Sequence, residues 1–591
     1  MESRGRLAAC LGRVVMVQHP PDPHPDETAA GGRLAGGASG RRLRVALFVI
    51  GLLVYGVGRL HDLSFDIDEL HYLEGARNLA RGAGFTKNNG ESLELFSPLY
   101  PLCVTPIYMV TGRIFGSAFA ASAAIAAGAI AVWIAFVYAW SGGAGGDRWF
   151  PALALFILFT NRFWTGALLR LGPEGLLLLA LGAELLALTR LADGATGRRM
   201  RLVWAVVAGL GAAAAYVARP DGLVYSGLAA VWFLVRLRGL RRPFPAAAAA
   251  AGLIVAIVAA SPYLLYLRAA TGEWTLTAKT EKNLLHGVTY TEDRLAYEQI
   301  IYGGWEEEQE EPEARRRAER MAEEGLWGML VHYPRELAGR VWVNTGEIVE
   351  ALNNFIGLAW GWPLLALGAL ALACGPAAVR RGELAALGVF LPGLAILLPF
   401  HVEDRYVLVP AVLIAPPLLA AGVLWLVERG RRLREGRWKR RAVYVLALAL
   451  YVGMAQETAP EDMFDKPDDE DRHYDQLAQW AREAGLAPGT VVSRKNKFNF
   501  RLNWPREALP YVTNHGDLLA FLDEVNARYL LIEEDQVLTK RPELGYLVRP
   551  TAETTAGLKL LRSLNNPGHE DSRLVLYSVD SWEPGEENGE E

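Results

Sequence analysis

The chain has 591 residues, 52% of them hydrophobic and 21% charged, with 60 glycines, 17 tryptophans and a formal net charge of −5. That balance carries no nucleic-acid footprint, and no nucleic-acid partner is expected. Apolar runs at 45–60, 118–139, 175–188, 246–267, 362–374 and 406–427 approach or reach the about 20 residues that cross a bilayer core. A soluble globule does not repeat such runs, so the pattern predicts a polytopic membrane protein.

Residues 1–40 contain Pro20-Pro21-Asp22-Pro23-His24-Pro25 and Gly36-Gly37-Ala38-Ser39-Gly40. They lack a continuous apolar segment with a cleavage site and are expected to form a disordered cytoplasmic tail rather than a signal peptide. From residue 41 onward, arginine clusters set the orientation by the positive-inside rule. They are Arg41/Arg42/Arg44, Arg198/Arg199/Arg201, Arg236/Arg238/Arg241/Arg242, Arg380/Arg381 and the run at 429–441. An even number of spans must separate each cluster from the next.

Five apolar candidates precede residue 198, one too many for that parity. The stretch 97–115 is the weakest, because it carries three prolines and Arg113 and each proline removes a backbone donor. It is expected to lie at the outer interface. Spans near 203–218, 222–235, 244–267, 356–374, 382–400, 406–427 and 442–456 follow, giving about eleven in a transmembrane domain over 41–456. The non-cytoplasmic face then receives a first loop at 61–116, a long loop at 268–350 and everything from 457 onward.

Within the long loop, 306–324 is an acidic-then-basic stretch with Glu/Arg pairs at helical spacing and predicts a solvated helix. The tail at 457–591 reads as a soluble α/β domain. It has helical periodicity at 471–484 and 516–526 and strand-like runs at 490–493, 528–532 and 574–579. Cys10, Cys103 and Cys374 lie far apart, so no disulfide framework or metal-ligand spacing follows from them.

The first loop holds the most unusual chemistry. Asp66, Asp68 and Glu69 cluster where an amphipathic helix begins, its apolar stripe running through Tyr72, Leu73, Ala76, Leu79 and Ala80. Asp66 with Glu69 three residues on forms a capping-box pattern. Asp68 is surplus to that cap, and a carboxylate kept beside a membrane-facing cleft points to function.

Asp68-Glu69 followed by Tyr72-Leu73 and Ala76 resembles the first-loop motif of the GT-C membrane glycosyltransferases, which include protein mannosyltransferases and the lipid A aminoarabinose transferase. Further pieces follow in order: Ser97-Pro98-Leu99-Tyr100-Pro101, Gly172-Pro173-Glu174, Arg219-Pro220-Asp221-Gly222, and Arg405-Tyr406 with Pro410. The resemblance runs from about residue 45 to 580. It implies a GT-C type polytopic α-helical membrane protein with a C-terminal extracytoplasmic α/β domain, N-terminus inside, in a bacterial cytoplasmic (inner) membrane. It further implies transfer of a sugar from a polyprenyl phosphate to a hydroxyl of a glycan, lipid or protein acceptor.

Such transfer needs a carboxylate to take the acceptor proton and cations to hold the phosphate. Asp68 is the expected base, with Glu69 and Glu174 orienting the acceptor and Glu174 the alternative base. Arg405 is expected at the phosphate, because a guanidinium fork matches two phosphate oxygens. Tyr406, Arg219, Asp66 and Lys279 are further substrate-binding candidates, as is Lys282. Arg219 with Asp221 also reads as a local turn pair, Arg405 as a partner of Glu403 or Asp404, and His71 as a surface histidine. No cofactor is required; a divalent metal is left open and none is assigned. The rival classes are a flippase of lipid-linked sugars and a non-catalytic scaffold whose outside domain binds a partner.

Overall fold

The computed structural model describes residues 32–61, 67–142, 149–193, 197–279, 320, 324, 328–357, 359–374, 388–399, 404–432, 441, 445–450, 452–454, 472–512, 514–550, 555–566 and 569–579. Of the tail expected at 1–40, residues 1–31 lie outside the described residues, as do the solvated helix at 306–324 apart from two residues, Asp66, Lys282 and Glu403; residues 32–40, expected as disordered, are instead helical, continuous with the first apolar run.

The helices are α1 (Gly32–His61), α2 (Ile67–Ala80), α3 (Leu99–Thr111), α4 (Ile114–Gly142), α5 (Trp149–Phe159), α6 (Arg162–Leu169), α7 (Glu174–Ala192), α8 (Arg198–Ala218), α9 (Gly222–Gly239), α10 (Ala246–Thr271), α11 (Pro334–Ile356), α12 (Gly361–Cys374), α13 (Pro392–Leu397) and α14 (Asp404–Arg432). Among the described residues, five helices are long and apolar enough to cross a bilayer, or seven if each of two bent pairs counts as one span. The expected count of about eleven exceeds this. At 382–400 the described part is a 3-10 turn, Gly388–Phe390, followed by the six-residue α13, because Pro392 interrupts the backbone donor ladder. Conversely, residues 334–350, expected as loop, form part of the 23-residue α11.

The 13-residue α3, holding Pro106 inside it, ends on Gly112 at φ 65. It is about 20 Å long, short of the about 30 Å hydrocarbon core. The pair α5–α6 bends by 61°. At that break the Asn161 side chain caps α6 by accepting from Phe163 N–H at 3.0 Å and donates to the Phe355 carbonyl at 2.8 Å. Small residues bring the spans close: a Cβ on Gly209 of α8 would lie 2.2 Å from the Gly252 carbonyl of α10, the backbone approach that membrane helix packing favours. The opposite face of α10 exposes Leu253, Ile254, Ile257 and Val258, an apolar stripe suited to lipid.

The C-terminal region adds α15 (Arg472–Glu483), β1 (Thr490–Ser493), α16 (Lys497–Leu502), β2 (Arg506–Ala508), α17 (His515–Glu524), β3 (Ala527–Glu533), α18 (Glu534–Lys540), β4 (Leu558–Asn566) and β5 (His569–Val579). The sheet order is β2-β1-β3-β5-β4. β1 is parallel to β2 and β3, while β5 is antiparallel to β3 and β4, with Val492 opposite Leu530 and Leu531 opposite Leu576. Side chains alternate faces along a strand, and both faces are covered. Val491, Tyr529, Leu531, Leu574 and Leu576 pack with Tyr474, Leu477 and Phe498; Val492, Leu530, Ile532, Val575 and Tyr577 pack with Leu518 and Leu522. Burial on both sides explains why β3 reads as the unbroken apolar run Tyr529-Leu530-Leu531-Ile532.

Candidate active site

α2 sets the first wall of the site. Its stripe Leu70, Tyr72, Leu73 and Ala76 is buried together with Tyr100 and Val104 of α3 and Ala118 of α4. Tyr72 stands edge-on to Phe96 and Tyr100, with centroids at 5.3 and 6.1 Å. This packing fixes the first turn of α2, where Asp68 and Glu69 stand.

Four further segments converge there. Glu174 opens α7, Arg219 and Asp221 occupy the turn between α8 and α9, Lys279 follows α10, and Arg405 and Tyr406 open α14. Arg405 Nη1 donates to Asp68 Oδ2 at 3.1 Å, across 337 positions of sequence, and lies 3.9 Å from Glu174 Oε1. Arg219 Nη1 donates to the same Glu174 oxygen at 2.9 Å, and its Nε donates to Asp221 Oδ1 at 2.9 Å. The Tyr406 ring lies beneath both guanidinium groups, 5.0 Å from Arg219 and 5.7 Å from Arg405. The Tyr406 carbonyl accepts from Tyr225 Oη at 3.0 Å, which ties α14 to α9.

The two ion pairs differ in setting. Glu174 and Arg219 keep only 4% and 8% of their side chains exposed, whereas Asp68 and Arg405 keep 36% and 20%. The first is a fixed, desolvated pair; the second borders solvent and opens at lower cost. Asp68 thus pairs with the arginine that sequence offered to its neighbours at 403 and 404. Burial pushes the Asp68 carboxyl up, but the fields of Arg405, Lys279 and His71 outweigh it and hold it below its ordinary value. Lys279 Nζ sits 5.2 Å from the Phe96 ring centroid. Burial lowers its ammonium; Asp68 opposes this, Arg405 and Arg219 add to it, and the net direction is down. Lys279 thus stands close enough to Asp68, Arg405 and Arg219 to feel their charges.

Glu69 is used differently. It is buried, and its Oε1 accepts from Leu171 N–H at 2.8 Å, anchoring the turn that leads into α7. In that turn a Cβ on Gly172 would lie 2.8 Å from Glu174 Oε2. Only glycine leaves that carboxylate its place. His71, expected at the surface, is instead packed on Phe96 at 4.9 Å, with Nδ1 3.4 Å from Glu74 Oε2. Among the described residues no group of three His, Cys, Asp or Glu side chains gathers as a metal site; Asp66 is not among those residues.

The site therefore sets three cations (Arg219, Arg405, Lys279) against three carboxylates (Asp68, Glu174, Asp221). Sequence reasoning missed the contributions of Phe96 and Tyr225, which carry no motif and act only through tertiary packing.

No known family model matches the chain, and no curated protein matches it in sequence. Solved structures do. The archaeal oligosaccharyltransferase AglB from Archaeoglobus fulgidus, in complex with an inhibitory peptide and a dolichol-phosphate, superposes with a TM-score of 0.52 at 12% identity, covering 92% of this chain and 75% of that one. ArnT from Cupriavidus metallidurans in the apo state gives a TM-score of 0.52 at 14% identity, covering 91% and 98%. The same protein bound to undecaprenyl phosphate gives 0.50 at 15% identity, covering 90% and 97%. The chain has the fold of these membrane glycosyltransferases, the GT-C fold that the first-loop motifs imply.

Proposed function

We propose that the chain is an integral membrane glycosyltransferase that moves a sugar from a polyprenyl-phosphate donor to an acceptor hydroxyl, on the extracytoplasmic side of a bacterial inner membrane. The observation that carries this reading is the convergence of Asp68, Glu174, Arg219, Lys279 and Arg405, drawn from five separate segments, into one ionic cluster. Two solved structures of this fold hold dolichol-phosphate and undecaprenyl phosphate, which supports the donor class.

In this reading Arg405 meets the donor phosphate and releases Asp68. The Asp68 carboxylate takes the acceptor O–H proton as that oxygen bonds to the anomeric carbon. The bond from carbon to phosphate oxygen breaks, and the polyprenyl phosphate leaves with the electron pair, its charge held by Arg405, Arg219 and Lys279. Glu174 fixes Arg219, and Glu69 holds the turn that delivers Glu174, so both act as positioning residues. Tyr406 supports the two guanidinium groups. The cations are side chains, and no cofactor is invoked. Asp66, expected as a substrate-binding residue, lies outside the described residues.

Mass spectrometry of envelope glycans and glycoproteins from a strain lacking the gene tests the reading. Loss of one sugar residue from one glycan is expected, and complementation with Asp68→Asn should leave it missing. An unchanged glycome with lipid-linked sugar accumulating would favour a flippase and overturn the assignment.

A further inference from the structure

A cavity of about 380 Å³ lies where the C-terminal domain meets the start of α4. Its walls carry Arg77 of α2, Arg482 of α15 and Arg501 of α16 against one acidic residue, Asp475, and its apolar side is Ile114 and Phe115. The three guanidinium groups are held by carbonyls of α16. Arg77 Nη1 donates to the Phe500 carbonyl at 3.1 Å, Arg501 Nη1 to the Lys497 carbonyl at 2.8 Å and Arg482 Nη2 to the Arg501 carbonyl at 2.6 Å. Arg501 also pairs with Asp475, and Arg77 reaches Asn503 Oδ1 at 2.9 Å. The carbonyls of Phe500 and Arg501, in the last turn of α16, attract cations, and among the described residues the three guanidinium groups lining this cavity face the single carboxylate of Asp475, a surplus of positive charge. Arginine forks so oriented match a phosphate.

Depth selects the kind of phosphate. Ile114 opens the candidate span Ile114–Ser141, whose 28 residues at about 1.5 Å each exceed the about 30 Å core; its first turn and the arginines beside it therefore suit the headgroup region. On the preceding helix Met109 and Val110 are 69% and 88% exposed, an apolar surface beside the same boundary. We propose that this cavity binds the phosphate of an anionic phospholipid of the bordering leaflet and so seats the C-terminal domain on the membrane, apart from the ionic cluster of the proposed active site.

The test uses the full-length protein in nanodiscs of phosphatidylcholine with or without phosphatidylglycerol, followed by native mass spectrometry. Exposed Arg482 is varied, because its loss leaves the buried packing intact. Retained phosphatidylglycerol is expected in the parent and in Arg482→Lys. It should fall roughly five-fold in Arg482→Gln and further in Arg482→Glu, all at unchanged thermal midpoint. Equal retention in all four proteins overturns the site. Displacement of the lipid by glycerol phosphate at millimolar concentration would show a soluble anion as the occupant and overturn the lipid assignment. Should Arg482→Glu unfold, the comparison of Arg482→Gln with Arg482→Lys decides alone.

Discussion

Two carboxylates in the cluster are candidates for the proton acceptor, and isosteric amides separate them. Asp68→Asn keeps the shape and removes the base, so transfer should fall by about 10²–10⁴, equivalent to about 2.7–5.4 kcal/mol of barrier at about 1.36 kcal/mol per tenfold. Its effect on folding should be small, because the Asp68–Arg405 pair keeps 36% and 20% of its side chains exposed and such pairs contribute about 1 kcal/mol or less. Glu174→Gln reverses the pattern. Glu174 is 4% exposed, and losing one charge-assisted bond there costs about 1.5–3 kcal/mol. Arg219 still retains Asp221 at 2.9 Å, so the fold should survive with a lowered thermal midpoint and most transfer intact. Arg219→Ala strands the buried Glu174 charge and should cost about 3–5 kcal/mol. The measurements are transfer from a polyprenyl-phosphate sugar in proteoliposomes and unfolding followed by size-exclusion fluorescence. A Glu174→Gln protein that loses transfer at unchanged midpoint, beside an Asp68→Asn protein that keeps more than a tenth of it, would refute the assignment of the base.

Four further outcomes are expected. Because Arg405, Lys279 and His71 hold Asp68 low against the upward push of burial, the acid limb of kcat/KM, which reports the free enzyme, should lie below the ordinary carboxylate range. Once a phosphate occupies Arg405, that hold weakens, and the limb of kcat should move to higher pH; coincident limbs in the pH profiles would exclude the competition. The same depressed carboxyl contributes stability above its unfolded pKa of about 3.9, lost as pH falls through the lower folded value, and Asp68→Asn should lack that acid dependence in thermal scans. Arg405→Gln should weaken undecaprenyl phosphate binding by roughly 10–100-fold, with Arg405→Lys intermediate because an ammonium has no fork; titration followed by tryptophan fluorescence reads it. Gly222→Ala places a Cβ 2.1 Å from the Ala215 carbonyl and should cost at least about 1–3 kcal/mol, seen as a lower midpoint.

Much of the site was legible because its residues stand next to prolines, glycines or other charges at helix ends: Asp68 in the first turn of α2, Glu174 after Gly172-Pro173, Arg219 before Pro220, Arg405 at the head of α14. Their pairing was not legible. Nothing local says that Arg405 reaches Asp68 rather than Asp404, or that Arg219 bridges Glu174 and Asp221 together; tertiary packing decides that. In the sheet, β1, β3 and β5 announced themselves by apolar runs buried on both faces. The three-residue β2, Arg506-Glu507-Ala508, has no alternation to read, and β4, Leu-Lys-Leu-Leu-Arg-Ser-Leu-Asn-Asn, slips register twice against β5. Span counting by charge parity treats each apolar stretch as one crossing and is blind to bends such as the 61° break at Asn161.

The 14-residue α2 is a rod about 20 Å long with Asp68 on its first turn. Near its other end Arg77 and Arg81 are gripped by Phe500 and Asn503 of the C-terminal domain. The proposed base and the region 472–579 thus share one lever, so a ligand or cross-link that tilts that region should change transfer without entering the ionic cluster.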